Sequence, residues 1–96
     1  MLQKTFVKSK NAYKVKFALK PHDAKTVEIY GLNNDWETAI PLNKKKDGIF
    51  SVEVVLPKDT KHQFKYCVDQ TNWFIDEDAD GESPNEFGST NSVLVL

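Results

Sequence analysis

An all-β antiparallel sandwich is the fold that this 96-residue sequence predicts. Three observations lead there. Apolar and polar residues alternate in segment after segment, which is the period of a half-buried strand. The segments recur at roughly ten-residue spacing with turn residues between them, the rhythm of a sandwich. No window of about eleven residues or more carries the 3.6-residue apolar period of a helix. The chain is long enough for one domain and too short for two, so residues 1–96 are read as a single module.

The first clear strand is Tyr13–Leu19, with Val15, Phe17 and Leu19 inward, and Pro21-His22-Asp23 turns the chain after it. Thr26–Tyr30 is the second, stopped by Gly31; Leu32–Trp36 is then a polar loop carrying one large aromatic. Ala39–Leu42 reads as a short edge strand, because Pro41 cannot donate to a sheet ladder. Lys44–Gly48 is a turn with Asp-Gly at its tip, followed by the strand Ile49–Leu56, whose Phe50, Val52, Val54 and Leu56 share one face. Pro57–Thr60 turns back into His62–Asp69, where Phe64, Tyr66 and Val68 alternate with Gln63, Lys65, Cys67 and Asp69. Trp73–Asp76 is a brief extended piece, Glu77–Glu86 an acidic loop, and Ser92–Leu96 a closing strand. Residues 1–12 carry no pattern that assigns them.

Composition narrows the function. The single Cys67 excludes an intrachain disulfide, no Cys/His cluster has zinc spacing, and a reduced, intracellular, cytoplasmic setting is the simpler expectation. The N-terminal segment has no signal-like apolar region and no apolar run reaches the length of a membrane span, so neither export nor a membrane partner is expected. Residues 1–46 carry ten Lys against four acids and residues 47–96 three Lys against ten acids. All thirteen cations are Lys, most of them spaced singly and three in the Lys44-Lys45-Lys46 turn, and Arg, which grips phosphate and guanine bidentately, is absent; this reads as a solvated face and excludes nucleic acid as the expected partner.

The strand around Lys65 has one core face and one mainly polar face, and Trp73 lies just beyond it. A planar apolar surface beside a hydrogen-bond donor is the complement of a sugar ring, which has a C–H face and a hydroxyl rim. Trp36 and Trp73 both stand in polar, Asn-rich surroundings, although each alone could equally cover an end of the sandwich. Lys65 could be plainly solvated, Asn91 could cap a turn, and Phe87 could be core, despite its setting among Glu, Ser, Pro and Asn.

Six ordered landmarks resemble a known family: Val27-Glu28-Ile29-Tyr30-Gly31, Asn34-Asp35-Trp36, Gly48-Ile49-Phe50, His62 through Asp69, Trp73, and Gly88-Ser89-Thr90-Asn91-Ser92. From Tyr13 to Leu96 the chain is similar to family 48 of the carbohydrate-binding modules, which includes the early-set domains of isoamylases and branching enzymes and the glycogen-binding domain of the AMP-activated kinase β subunit. The resemblance implies an immunoglobulin-like, early-set sandwich and a non-catalytic module for α-1,4-linked glucan such as glycogen, starch or maltooligosaccharide. It implies that Trp36 and Trp73 stack on glucose units, that Lys65 and Asn91 bond hydroxyls, and that Phe87 buttresses or caps the glucan. It further implies a glycogen- or starch-metabolising enzyme as a partner to be tethered, and the same fold with a decayed sugar site would serve as a protein-interaction domain. The sequence departs from the family at Asn33, where an aromatic is usual, at Val68-Asp69-Gln70, which replaces Val-Asp-Gly and lengthens the path to Trp73, and at Ser92, where the closing motif has a second asparagine.

Two other constellations fail. Asp76-x-Asp78-x-Asp80-Gly81 begins like a calcium loop, but its twelfth position is Phe87 rather than Glu, with Glu86 one place short. No metal ligand set and no cofactor is therefore expected. Hydrolysis of a glycoside needs two carboxylates opposed across a cleft, whereas the acids here crowd into one loop, and neither His22 nor His62 has an evident nucleophile partner. No catalytic residue is expected.

Overall fold

The computed structural model describes residues 2–96. Ten strands form two antiparallel sheets: β1 (Leu2–Val7), β2 (Ala12–Leu19), β3 (Val27–Tyr30), β4 (Ile40–Pro41), β5 (Asn43–Lys44), β6 (Phe50–Pro57), β7 (Lys61–Val68), β8 (Asn72–Phe74), β9 (Gly81–Pro84) and β10 (Thr90–Val95). One sheet runs β1-β2-β6-β5 and the other β4-β3-β7-β10-β9, with β8 also paired to β7. The predicted sandwich is thus what forms. Among the described residues no helix is long and apolar enough to cross a membrane.

The inward residues are those that alternation selected. Val15, Phe17, Phe50 and Leu56 from one sheet meet Val27, Ile29, Phe64, Tyr66 and Leu94 from the other. Phe17 and Phe64 join the layers edge to face, their ring centroids 5.2 Å apart. The interior also holds a polar pair: the hydroxyl of Tyr66, fully buried, donates to Asp76 Oδ2 at 2.7 Å, and Ser92 Oγ accepts the Asp76 amide at 2.7 Å. Burial and this carboxylate together raise the Tyr66 phenol far above its ordinary value of 10.0. Tyr66→Phe keeps the ring but removes a donor from a buried carboxylate, a change worth roughly 2 kcal/mol. The expected result is a Tm lowered by roughly 10 °C in a thermal melt of a domain this size.

Three strands were not predicted, and β5 is the shortest of them, its Asn43–Lys44 running into the stretch read as a turn. In β1 the positions sharing a face with Val15 and Phe17 are Leu2, Lys4 and Phe6, so a lysine interrupts the apolar period. That lysine crosses to the other sheet, where its Nζ lies 2.7 and 2.6 Å from the two Asp80 oxygens and 3.0 Å from the Val95 carbonyl. β9 lies inside the stretch predicted as an acidic loop. Gly81-Glu82-Ser83-Pro84 has no apolar residue to signal a strand, and it forms as an edge by pairing with β10, with Pro84 at its end.

Candidate glucan-binding groove

β7 is the spine of the site. Residues 65–68 pair with β3 on one edge, while the opposite edge is shared by β10 against residues 61–64 and β8 against residues 66–68. The junction of β8 and β10 therefore falls beside Lys65. Cross-strand partners share a face, so Tyr30 opposite Lys65 and Trp73 opposite Cys67 stand on the outer face together. Cys67 itself is buried on that face; burial first and the nearby Glu28 second raise its thiol, which leaves it unreactive at neutral pH.

Trp73 reaches its place through a tight turn. Asp69 and Gln70 both take left-handed φ, 52° and 62°, conformations that Asp tolerates through its short polar side chain. Asp69 Oδ1 accepts the amides of Lys25 and Thr26 at 2.7 and 2.9 Å, which ties the turn to the start of β3 and, with those amides as the main cause, lowers the Asp69 carboxyl below its ordinary 3.8. Gln70 thus takes up a backbone conformation that favours glycine. The Trp73 ring rests against Tyr30 at 5.2 Å and stays half exposed.

Trp36 is carried by the loop after β3. Leu32 is buried and anchors it, Asn33 and Asn34 both take left-handed φ of 58° and 60°, and the Gly31 amide donates to the Asp35 carbonyl at 2.9 Å. Asp35 Oδ1 accepts the amides of Thr38 and Glu37, both at 3.0 Å, and those two bonds lower its carboxyl below 3.8. The chain beyond Trp36 is thereby folded back, and the indole lies directly over Gly31.

The third wall is the loop 85–89 joining β9 to β10. Asn85 organises it: its Oδ1 accepts the amides of Phe87 and Ser89 at 2.9 and 3.2 Å, and its Nδ2 donates to Asn91 Oδ1 at 3.1 Å. Phe87 stands at the tip, 84% exposed, so it is not core. Lys65 Nζ donates to Ser89 Oγ at 3.0 Å across the floor. Asn91 is 7% exposed and donates to Gln63 Oε1 at 3.0 Å, which fixes it in the floor.

These elements enclose one open groove of about 930 Å³, lined by Trp36, Lys65, Trp73, Asn85, Glu86, Phe87, Ser89 and Asn91. All five residues singled out in the sequence come to it, from four separate segments of the chain. Ser89, Asn85 and Glu86 were missed; the Gly88-Ser89-Thr90-Asn91 run carried Ser89 all along, and Asn85 three residues before a glycine is a turn signal. Alanine at Asn85 frees the Phe87 loop without opening the core. The expected outcome for Asn85→Ala is α-glucan affinity weakened roughly fivefold by calorimetric titration with little change in Tm.

The partial calcium motif makes no such gathering. Asp76 accepts Tyr66 and the Asp78 amide, and Asp80 accepts Lys4 and the Val95 amide. Among the described residues no cluster of three or more His, Cys, Asp or Glu is disposed to hold a metal. Nor do two carboxylates face one another across the groove, where Glu86 is the one acid on the lining.

A family model described as the glycogen recognition site of AMP-activated protein kinase matches residues 9–96. No curated protein matches the chain.

Proposed function

We propose that this chain, which belongs to the family of the glycogen recognition site of AMP-activated protein kinase, is a non-catalytic module whose groove binds α-1,4-linked glucan. One observation carries the reading: half-exposed Trp36 and Trp73 and fully presented Phe87 surround the amine of Lys65 in a single open groove. Indole planes accept the C–H faces of successive glucose units, Lys65 and Ser89 bond their hydroxyls, Asn91 contributes its second N–H from the floor, and Phe87 caps the chain. The curvature of an α-1,4 chain follows a concave groove, whereas a flat β-1,4 chain does not. The site is shallow and wet, so binding in the micromolar to millimolar range is expected.

A module of this kind acts by tethering, and a glycogen- or starch-metabolising enzyme held beside the glucan is the proposed partner. A cytoplasmic setting, in keeping with the single buried thiol of Cys67, is part of the same proposal. The test is calorimetric titration with β-cyclodextrin, maltoheptaose and cellohexaose. Saturable heat with the two α-glucans and none with cellohexaose supports the reading. A folded protein silent to all three would overturn it in favour of a protein-interaction domain.

A further inference from the structure

We propose that His62 is a positioning residue for the Trp36 wall of the groove, and that protonating its imidazole releases that wall. The ring is 7% exposed at the start of β7, on the inward face, and both nitrogens are engaged. Thr60 Oγ1 lies 2.6 Å from the Pro57 carbonyl, which only accepts, so the hydroxyl proton is spent there. The same oxygen lies 2.9 Å from His62 Nε2 and has only lone pairs left to offer, so Nε2 carries the ring proton. Nδ1 is then unprotonated and accepts the Asn33 amide at 3.1 Å. A second proton has one place to go, Nδ1, where it would confront the Asn33 N–H head on.

Asn33 is a costly place to lose that bond. Its left-handed φ of 58° is followed by another at Asn34, and a non-glycine residue holds such a conformation only when its surroundings impose it. Three residues on is Trp36. The charged side chains of its own hairpin, Lys58, Asp59 and Lys61, and Asp35 of the facing loop are all exposed, and Leu94 opposite it on β10 is apolar. Burial alone lowers the imidazole below its ordinary 6.5. The folded protein thus favours the neutral ring: its contribution is complete above pH 6.5 and is lost as pH falls through the lower folded value. The consequence for affinity rests on the glucan reading, while the consequence for the loop does not.

The experiment follows His62 ring protons, the Asn33 amide and the two indole N–H resonances by NMR from about pH 7.5 to about pH 5, in a His22→Ala background so that His62 is the one imidazole. The Asn33 and Trp36 signals are expected to move with the His62 titration, at one midpoint, while the Trp73 indole stays still. His62→Gln offers a carbonyl to Asn33 without a titrating group, and its spectra should be flat over the same range. Affinity for β-cyclodextrin should fall roughly tenfold across the window in the first protein and stay constant in the second. A His62 titration that leaves Trp36 unmoved, or the same pH dependence in His62→Gln, would overturn the proposal. Should no glucan bind at the upper pH, the glucan reading fails while the NMR titration still decides the role of His62; should His62→Gln not fold, the co-titration in the His22→Ala protein decides it.

Discussion

Trp36→Ala and Trp73→Ala will each weaken maltoheptaose binding by roughly 30-fold, the loss of about 2 kcal/mol typical of a tryptophan at the centre of a recognition surface. The two indoles are 38% and 49% exposed, so each keeps a sizeable face free of the fold while its other face is packed. Removing either forfeits the packing of the covered face, so a modest fall in Tm is expected while circular dichroism stays native. Against an initial affinity in the micromolar to millimolar range, either loss leaves binding barely measurable. Trp36 sits on the loop after β3 and Trp73 within β8, so their losses are expected to add unless one glucose unit bridges both. Retained affinity in both folded variants would remove the groove as the glucan site.

Gly31→Ala will do the opposite, striking stability first. Gly31 has φ of 103°, and a Cβ built there would fall onto the Gln63 carbonyl oxygen and within 2.6 and 2.7 Å of two indole carbons of Trp36. The carbonyl belongs to the β7 ladder and cannot yield, and the indole can yield only by leaving the groove wall. Left-handed strain of roughly 1 kcal/mol and overpacking of 1–3 kcal/mol together predict a loss of about 3 kcal/mol. In a domain of this size Tm should drop by roughly 15 °C, with the tryptophan emission shifting as Trp36 is displaced. A Gly31→Ala protein with wild-type Tm and emission would show that the indole is not seated there.

The fold was legible wherever the apolar period was intact. Phe64, Tyr66 and Val68, or Phe50 through Leu56, identify their strands because each inward position is apolar and each becomes core. β1 was not legible, because Lys4 occupies an inward position and belongs there only once Asp80 is brought across from the other sheet. β9 was invisible for the opposite reason: as a polar edge it buries nothing and is defined by its partner. The acidic stretch that looked like half a calcium loop is better understood through Asp76, whose oxygens accept the Tyr66 hydroxyl and the Asp78 amide, and Asp80, whose oxygens accept Lys4 and the Val95 amide.

The groove was legible as a set of residue types and not as a geometry. Trp36, Lys65, Trp73, Phe87 and Asn91 were identified from ordered landmarks, yet nothing local in the sequence says that β8 and β10 share one edge of β7, which is what brings Trp73 and Asn91 to Lys65. The longer path to Trp73 gave no orientation for its ring in the sequence, and it is the left-handed pair Asp69 and Gln70 that turns the chain back into β8. Asn91 changes most in the structure, since it is nearly buried with both ends of its amide engaged. His62 was read only as lacking a nucleophile partner, because Thr60 and Asn33 give no hint of a shared role until the loop folds over the start of β7.

The most direct measurement uses the fact that the chain has two tryptophans, one on each side of Lys65. Titrating maltoheptaose into labelled protein while recording the two indole N–H resonances reports on both walls at once. Both should shift together along one saturation curve, accompanied by the amides of Ser89 and Phe87, while cellohexaose moves neither. If maltoheptaose leaves both indoles in place at millimolar concentration, or shifts amides only on the outer face of β1, β2 and β6, the groove is not where this chain meets glucan.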